Sequence, residues 1–283
     1  MIRFSNEKDI PQIVSLWSEA FGDGEKEIRF FLDEWYKPQN TLVCELNGEV
    51  VSMLFLLEGS FCFEGAEYPA YYLYAACTAK KSRGNGLMGK LLVFAERTAY
   101  ERNYDFICLM PGEKSLFDFY SRFGYIPAFK TNYVSFSAQE YSFDGDAEID
   151  NSAVDLSEMR NSFLSGNPYF KWSGKAIDFA FSQNKLYGGS SVSTCKGYFL
   201  YFSEGSKTVV KEIAFTDKLM SSVIALLIKN SSSDKFLLRL PAWINPDFGK
   251  SDVRESAMLL PVTERAKEIA PNINNAYLGL TLD

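Results

Sequence analysis

Apolar and polar residues in the first half of the chain alternate between helical and extended spacing. Apolar residues that recur every three or four positions predict helices over 9–21, 25–36, from residue 87 onward and between Ser115 and Gly124. Shorter apolar or alternating runs, bounded by turn residues, predict strands over 2–5, 41–45, 50–57, 71–79 and 106–110, with a final pair within 125–136. The predicted order is therefore β-α-α-β-β-β-α-β-α-β.

The second half of the chain repeats part of this order after a polar interruption. Residues 137–152 are rich in Ser, Asp, Glu and Gly and have no apolar period, which predicts a connection between two domains. Beyond it the pattern predicts a helix over 155–164, strands over 197–202 and 208–214, a helix over 219–228, and strands over 235–240 and 275–283. We expect an α/β (α+β) protein with domains at 1–138 and 139–283.

A glycine-bearing turn joins the strand predicted over 71–79 to the helix that follows it. Gly84 and Gly86 let the backbone approach a ligand closely, and the first-turn N–H groups of a helix have no partner within the helix. Together with the positive end of the helix dipole, these N–H groups suit a pyrophosphate. The segment 68–95 contains no carboxylate and carries the cations Lys80, Lys81, Arg83 and Lys90.

Three other interpretations compete for this turn. A P-loop is excluded because the lysine after its last glycine must be followed by Ser or Thr, whereas here Leu91 follows. A dinucleotide fingerprint survives on spacing alone, with Gly84, Gly86 and Gly89 at the required positions and Asp105 as the later acidic residue. A plain strand-to-helix turn with exposed lysines also stays open.

A second motif decides between these interpretations. Residues 117–125, Phe-Asp-Phe-Tyr-Ser-Arg-Phe-Gly-Tyr, follow the strand predicted over 106–110 and a Pro-Gly break, and Gly124 can end their short helix. In this order and at this separation, the glycine turn and the tyrosine segment resemble the motifs of the GCN5-related N-acetyltransferase (GNAT) superfamily. The resemblance covers the first predicted domain and implies the GNAT fold, a mixed and mostly antiparallel sheet flanked by helices.

The resemblance also implies an acetyl-CoA site. In this family the turn binds the pyrophosphate of acetyl-CoA, the preceding strand pairs with the pantetheine arm, and a tyrosine lies near the CoA sulfur. Tyr120 is then the expected general acid for the departing thiolate, with ordinary core packing as its alternative. The expected cofactor-binding residues are Ala76, Cys77, Thr78, Arg83, Gly84, Asn85, Gly86, Leu87, Met88, Gly89, Ser115 and Leu116.

Met88 departs from the family pattern, which has a small residue at this position. The larger Eis-type (enhanced intracellular survival) acetyltransferases carry a bulky apolar residue there, and their tyrosine segment is similar to residues 120–125. The chain therefore resembles the Eis type, so residues 139–283 are expected to form a smaller, degenerate GNAT-like α+β domain. An unrelated α+β cap is the alternative.

Composition limits the chemistry available to this chain. It contains no histidine, which excludes Ser-His-Asp and Cys-His mechanisms, and without paired cysteines we expect no metal site. The five cysteines are scattered singly and the amino terminus is too polar for a signal peptide, so the expected location is cytoplasmic. No apolar run is long enough to cross a membrane, and the net charge of −7 argues against nucleic-acid binding.

The general base is the least determined part of the expected mechanism. Asp118 lies two residues from Tyr120 and so faces another side of the helix, whereas Glu113 is equally suited to a solvated loop. Eis-type enzymes use their C-terminal carboxylate, so the resemblance makes Asp283 the expected base, with a surface strand end as the alternative. Cys108 is not an expected nucleophile, because an apolar strand raises the pKa of a thiol.

The expected activity is direct transfer of an acetyl group from acetyl-CoA to a primary amine of a small molecule or of a peptide lysine. Two rivals stay open: a noncatalytic acyl-CoA-binding or sensor module, which would bind without turnover, and an aminoacyl transferase that uses charged tRNA. The transferase that uses charged tRNA would need a basic stripe. None occurs outside the glycine-bearing turn with its cations (residues 80–90), which we call the phosphate turn. A homo-oligomer also stays open.

Overall fold

A computed structural model describes residues 1–141, 155–215 and 220–282. Its helices are α1 (Ile10–Phe21), α2 (Glu25–Trp35), α3 (Leu87–Glu101), α4 (Ser115–Ser121), α5 (Leu156–Leu164), α6 (Gly174–Leu186), α7 (Met220–Asn230) and α8 (Glu264–Ile269). Its strands are β1 (Ile2–Phe4), β2 (Thr41–Leu46), β3 (Glu49–Phe63), β4 (Ala66–Thr78), β5 (Phe106–Leu109), β6 (Ile126–Ser137), β7 (Tyr169–Lys171), β8 (Ser190–Thr194), β9 (Gly197–Glu204), β10 (Lys207–Phe215), β11 (Lys235–Pro241) and β12 (Lys250–Pro261). Within these described ranges, every helix is too short or too polar to cross a bilayer.

The chain divides into two compact units, each built from separate stretches of sequence. Unit 1 contains Met1–Ser60, Tyr68–Pro127 and Met258–Asn272. Unit 2 contains Phe61–Glu67, Ala128–Ala257 and the residues from Ile273 onward. The division differs from the single predicted boundary between residues 138 and 139, because the chain returns to unit 1 after residue 257.

Unit 1 is built on a mixed, mostly antiparallel sheet in the strand order β1-β2-β3-β4-β5-β12. β2 is antiparallel to both β1 and β3, β4 is parallel to β5, and β12 is antiparallel to β5. α1 packs against α2, while α3 packs against β1, β2 and β5. This arrangement confirms the predicted fold class.

α1 carries one wall of the site described below, and its bounds follow from its sequence. The side chain of Asn6 accepts a hydrogen bond from the Lys8 N–H at 3.0 Å, which fixes the turn that leads into the helix. Gly22 ends the helix with a φ of 81°, in the left-handed region where glycine is favoured. The buried face presents Ile13, Leu16 and Trp17 to the core.

Two predicted features of the strand pattern are wrong. The strand pair expected within 125–136 is the single strand β6. The strand expected over 275–283 is absent from the described part of that segment, which makes only isolated bridges from Phe129 to Ala276 and from Tyr169 to Tyr277. β12, which the sequence pattern did not predict, occupies the edge of the unit 1 sheet beside β5.

The strands of unit 2 lie in the order β6-β11-β10-β9-β8. β10 pairs antiparallel with β9 and parallel with β11, and α7 lies between β10 and β11 in the chain. Unit 1 shows the same order in β3, β4, α3 and β5, with β4 parallel to β5. This topology supports the predicted GNAT-like second half, whereas most of the predicted connection over 137–152 and the turn before α7 lie outside the described residues.

The C-terminal segment of unit 2 is held by a buried ion pair. The Arg160 guanidinium and the Glu212 carboxylate are 0% and 1% exposed and lie 2.7 Å apart. Arg160 also donates to the Leu278 carbonyl at 2.9 Å, and Glu212 accepts from the Leu280 N–H at 2.6 Å. These side chains replace the strand partners that the sequence pattern led us to expect.

Candidate active site

A cleft of about 810 Å³ in unit 1 contains most of the predicted cofactor-binding residues. Its lining comes from the end of α1, the end of β4, the turn and first residues of α3, and α4 with the loop before it. Tyr120 lines it, as do all the expected cofactor-binding residues except Asn85 and Ser115: Ala76, Cys77, Thr78, Arg83, Gly84, Gly86, Leu87, Met88, Gly89 and Leu116. The two sequence motifs therefore share one cavity.

The turn before α3 presents backbone N–H groups to the cleft. Gly84 and Gly86 have φ values of 79° and 68°, in the left-handed region that side chains disfavour, and Gly86 is the N-cap of α3. Lys90 donates its N–H to the Gly86 carbonyl at 3.2 Å, which is the first hydrogen bond of the helix. The N–H groups of Leu87–Gly89 precede that bond, so they are available to an anion.

Two side chains of the turn stabilise its shape. Asn85 Nδ2 donates to the Ser82 carbonyl at 3.1 Å, and Arg83 Nε donates to the Thr78 carbonyl at 3.1 Å. Arg83 also lines the cleft, whereas Asn85 does not. The structure thus gives Asn85 a part in forming the turn, and its predicted backbone contact with a ligand stays a prediction.

Positive charge surrounds the turn. Lys80, Arg83 and Lys90 are exposed, and within the described part of the chain no carboxylate forms an ion pair with them. Lys81 pairs with Glu49 at 2.5 Å. The uncompensated cations favour a ligand with several negative charges.

α3 meets the segment after α4 at Gly89. A Cβ at this position would lie 2.6 Å from Cζ of Phe123, so the contact requires a glycine. Met88, the departure from the family pattern, is half-buried and lines the cleft next to Gly89. The bulky side chain therefore coexists with a well-formed start of α3.

β4 is distorted before it reaches the cleft. Its parallel pairing with β5 covers only Ala70–Tyr72 opposite Phe106–Cys108, and Ala75 has a φ of 48°, a rare value for a residue with a side chain. The end of β4, Ala76–Thr78, lines the cleft. On its other edge Ser52 donates its hydroxyl to a carbonyl of this segment at 2.9 Å. β4 therefore offers the cleft a backbone edge that β5 does not occupy.

Tyr120 is buried in the wall of the cleft, with 7% of its surface exposed. Burial raises the pKa of Tyr120 to about 12. Its ring contacts Phe119 and Tyr125 at centroid distances of 5.2 and 5.6 Å. The hydroxyl therefore stays protonated at neutral pH and can serve as a proton donor.

Thiols near the cleft are protonated for the same reason. Burial raises the pKa of Cys77 to about 12 and that of Cys108 well above its ordinary value. None of the five cysteines forms a disulfide. Among residues 1–141, 155–215 and 220–282, no group of three or more His, Cys, Asp or Glu side chains is arranged to hold a metal ion.

The predicted acidic residues lie in different places. Glu113 is the one carboxylate among the described residues that line the cleft, and it accepts a hydrogen bond from the Ser115 hydroxyl. Asp118 is exposed on α4 and lies outside the lining. Asp283 lies outside the described residues, and its neighbour Leu282 is buried in unit 2.

Asp105, the acidic residue of the dinucleotide alternative, has a structural role. It is fully buried at the start of β5 and forms an ion pair with Arg265. It also accepts a hydrogen bond from the Thr263 hydroxyl at 2.6 Å. These contacts fasten α8 to the sheet, so Asp105 is not available to a ribose and the dinucleotide interpretation loses its acidic ligand.

Several lining residues were missed in the sequence pattern. They are Ala20 and Phe21 at the end of α1, and Phe119 and Arg122 in the tyrosine segment. A search for cations close to Tyr120 would have found Arg122. Phe21 gave no such signal, because only the fold brings α1 to the phosphate turn.

The site combines three chemical capacities in one cavity. Helix N–H groups and cations can bind phosphates, a free strand edge can pair with an extended amide chain, and a protonated phenol can supply a proton. A phosphorylated acyl carrier with a leaving group that needs protonation requires these three capacities together.

Comparison with known families identifies the region that contains the cleft. The family model described as an acetyltransferase (GNAT) domain matches residues 1–128. This match covers the phosphate turn, β4 and Tyr120. No curated protein matches the sequence.

Solved structures share the fold over nearly the whole chain. A conserved protein of unknown function from Enterococcus faecalis V583 aligns with a TM-score of 0.74 at 11% identity, covering 94% of this chain and 73% of that one. A GCN5-related N-acetyltransferase from Kribbella flavida gives 0.71 at 14%, covering 94% and 73%. Eis1 from Mycobacterium abscessus gives 0.69 at 14%, covering 93% and 74%. At this identity the similarity concerns the fold alone, and the resemblance to the Eis type stays a prediction.

Proposed function

We propose that this chain, whose residues 1–128 match the acetyltransferase (GNAT) domain model, is an acyltransferase that transfers an acetyl group from acetyl-CoA directly to a primary amine of a small molecule or a peptide lysine. The observation that carries the proposal is that the first turn of α3, the end of β4 and Tyr120 line one cleft. The pyrophosphate, pantetheine arm and thioester of acetyl-CoA need these three features in this order.

The residues of the cleft fit acetyl-CoA part by part. The N–H groups of Leu87–Gly89, with Lys80, Arg83 and Lys90 nearby, compensate the charge of the pyrophosphate. The backbone of Ala76–Thr78 offers hydrogen-bonding groups to the amides of the pantetheine arm. Leu116 supplies apolar surface between these groups and Tyr120, and Ser115 stays a predicted contact.

Acetyl-CoA supplies the activated acetyl group, and the chain supplies positioning and proton transfer. The amine nitrogen attacks the thioester carbonyl carbon, and the C–S bond breaks with its electron pair on sulfur. Tyr120, whose pKa is raised to about 12 by burial, donates its hydroxyl proton to this thiolate and regains a proton from solvent.

We propose that the carboxylate of Asp283 accepts the proton that the attacking amine loses. This role rests on the resemblance to the Eis type alone, because Asp283 lies outside the described residues. The residues just before it are buried in unit 2. Trp172 Nε1 donates to the Leu280 carbonyl at 2.9 Å, and Gln183 Nε2 donates to the Leu282 carbonyl at 3.0 Å. With the Arg160 and Glu212 contacts, these bonds fix the chain up to its penultimate residue.

We also infer that the enzyme acts in the cytoplasm on a partner other than nucleic acid. The absence of disulfides among its five cysteines supports a reducing compartment. The net charge of −7 is unfavourable for contact with a phosphate backbone.

Calorimetric titration with acetyl-CoA, together with thiol release in the presence of primary amines, tests the proposal. We expect a Kd in the micromolar range and release that depends on the amine. Binding without release for every amine would favour the noncatalytic acyl-CoA-binding alternative. Absence of binding would refute the assignment of the cleft.

The pair of variants Gly86→Asp and Gly86→Asn separates charge from shape at the turn. A Cβ at Gly86 meets no atom within 4 Å, and Asp and Asn both tolerate the left-handed conformation. We expect Gly86→Asp to bind acetyl-CoA at least about tenfold more weakly than Gly86→Asn, because its carboxylate lies against the pyrophosphate. Equal affinities measured by calorimetry would contradict the pyrophosphate site.

A further inference from the structure

Part of the cleft is not used by the proposed contacts with the acyl donor. Besides the phosphate turn, the end of β4 and the residues proposed for the donor, the lining includes Ala20, Phe21, Gly112, Glu113, Phe119 and Arg122. These residues come from the end of α1, the loop before α4 and α4 itself. They present two aromatic rings, one carboxylate and one guanidinium group to the cavity.

Phe21 places an exposed aromatic ring in this part of the cleft. It is 49% exposed, and its ring packs edge-on against Trp17 with the centroids 6.0 Å apart. Trp17 packs in turn against Tyr74 of β4 at 5.7 Å, two residues before the strand enters the cleft. Phe21 therefore lies beside the end of β4, where its apolar surface favours a ligand that can cover it.

The turn that follows Phe21 is fixed, so the ring forms a stable wall. Gly22 has a φ of 81°, and the Asp23 carboxylate accepts a hydrogen bond from Trp17 Nε1 at 2.7 Å. The hydroxyl of Ser18 donates to the Asp23 carbonyl at 2.9 Å. These bonds tie the turn back to α1 and leave Phe21 facing the cleft.

Negative charge is scarce around this wall. The carboxylates on either side of Phe21 are engaged, because Glu19 accepts from the Lys80 N–H at 2.7 Å and Asp23 from Trp17. Neither of them lines the cleft, whereas Glu113 does and shares the cavity with Arg83 and Arg122. Glu113 accepts a hydrogen bond from the Ser115 hydroxyl, and a carboxylate has further acceptor sites that can bind an ammonium group. One carboxylate can neutralise one ammonium group, whereas a polycation would leave its other charges uncompensated.

We propose that the acceptor is a monoamine, with one primary amino group carried on an aromatic or apolar body. Glu113 binds the ammonium form as the acceptor enters, and Phe21 and Phe119 pack against the body. This proposal rests on the proposed function and names its substrate class. Polyamines and aminoglycosides, which carry several ammonium groups, are poor acceptors for this cleft.

Steady-state thiol release at saturating acetyl-CoA tests the acceptor class. The probes are 2-phenylethylamine as the monoamine, spermidine as the polyamine and kanamycin as the aminoglycoside. We expect kcat/KM for 2-phenylethylamine to exceed the other two values by at least about tenfold. A higher value for spermidine or kanamycin would overturn the proposal and leave the N-acetyltransferase standing. If none of the three amines causes thiol release, the acceptor proposal is overturned as well. The wider panel of primary amines then tests the transferase activity separately.

Two matched pairs of variants test the residues. Phe21→Ala is compared with Tyr100→Ala, which removes an exposed ring from α3 outside the cleft. Glu113→Gln is compared with Asp118→Asn, which neutralises an exposed carboxylate outside the lining. We expect each cleft variant to raise KM for 2-phenylethylamine by about tenfold, with the acetyl-CoA Kd changed by less than about twofold. The two control variants are expected to match the wild type.

The outcomes separate recognition of the acceptor from a structural role. A loss of acetyl-CoA affinity in Phe21→Ala would mean that the ring supports the donor site, and would overturn its assignment. Unchanged KM in both cleft variants would overturn the proposal as a whole. A KM increase in Asp118→Asn as large as that in Glu113→Gln would show an effect of total charge, and would remove Glu113 from the acceptor site.

Discussion

Burial determines what each protonatable side chain near the cleft can do. It raises the pKa of Tyr120 to about 12, so this phenol is protonated at neutral pH. The same cause raises the pKa of Cys77 to about 12 and that of Cys108 well above its ordinary value, so these thiols are poor nucleophiles at neutral pH. At the residue scale the cleft therefore favours direct transfer over a cysteine-bound intermediate.

Tyr120→Phe removes the proposed proton donor and keeps the ring. We expect kcat to fall by at least about tenfold, because general acid catalysis typically contributes factors of about 10²–10⁴. The acetyl-CoA Kd is expected to stay within about threefold of the wild type. Thiol-release kinetics and calorimetry measure the two effects, and unchanged turnover would assign Tyr120 to packing alone.

Tyr125→Phe is the matched control for this prediction. Tyr125 packs against Tyr120, is fully buried, and its hydroxyl has no hydrogen-bond partner among the described residues. Removing this hydroxyl leaves the core filled and the proton donor intact. We expect kcat to stay at the wild-type value.

At the scale of elements, short irregular segments position the site on a regular sheet. The turn before α3 needs glycines at two left-handed positions, and β4 bends at Ala75 to leave β5. The described part of the C-terminal segment forms isolated bridges to β6 and β7 and also contacts Arg160 and Glu212, a fully buried ion pair. Burying two charges is costly, and loss of either partner would leave the other unpaired.

Gly279→Ala tests how strongly this segment depends on the ion pair. Gly279 has a φ of 68°, and a Cβ there would lie 2.1 Å from Oε2 of Glu212 and 2.8 Å from Nη2 of Arg160. We expect a loss of about 2–4 kcal/mol in the free energy of unfolding, because the buried pair must shift. Chemical denaturation measures the change.

Gly205→Ala is the control for backbone strain. Gly205 has a φ of 61°, and no atom lies within 4 Å of its Cβ position. Alanine is strained in this left-handed conformation, so the substitution is expected to lower the free energy of unfolding by about 1 kcal/mol without a steric clash. Equal losses in the two variants would show that the ion pair accommodates the added methyl group and would contradict the predicted dependence.

At the scale of the whole molecule, each unit contains two antiparallel strands, a helix and a further parallel strand in the same order. In unit 1 the turn before the helix carries the glycines and cations, and the adjoining cleft holds Tyr120. In unit 2 the equivalent strands support a core in which α7 packs Val223, Ile224 and Leu227 against Val210 and Leu238. The same topology thus adjoins a cleft in one unit and a packed core in the other.

The free energy of unfolding of the whole protein is expected to fall at alkaline pH. Burial raises the pKa of Tyr125, Tyr198 and Tyr277 well above the ordinary value. Above about pH 10 the unfolded chain ionises these phenols while the folded protein keeps them protonated, so the unfolded state binds fewer protons and stability declines as pH rises. Below that pH both states are protonated and these groups add no pH dependence.

Thermal unfolding between pH 8 and pH 11 measures this effect, with the decline in Tm expected to begin near about pH 10. Tyr125→Phe removes one contributing group, so its decline is expected to be shallower than that of the wild type. A Tm that stays constant across this interval would contradict the predicted role of the buried phenols.

The place of Tyr120 near the sulfur is what the resemblance to the GNAT motifs implies, and it stays a prediction. Local patterns in the sequence predicted the elements of unit 1 up to α4 and the glycine turn before α3. These features depend on local chemistry, because helical spacing, left-handed glycines and cap residues act within a few positions of the chain. The same local signals located β9, β10 and β11 in the second half. The residues that the sequence grouped into two motifs do line one cleft.

Only the tertiary structure decided which distant residues meet. β12 pairs with β5, which is distant from it in the sequence. Phe21 and Glu113 share the cleft with Tyr120, and the C-terminal segment is held by side chains and by isolated bridges to β6 and β7. None of these contacts leaves a periodic signal, because each depends on how separate elements pack and on burial that local sequence does not encode. The sequence therefore predicted the chemistry that we propose for the donor side, and the fold determined which other residues line the same cleft.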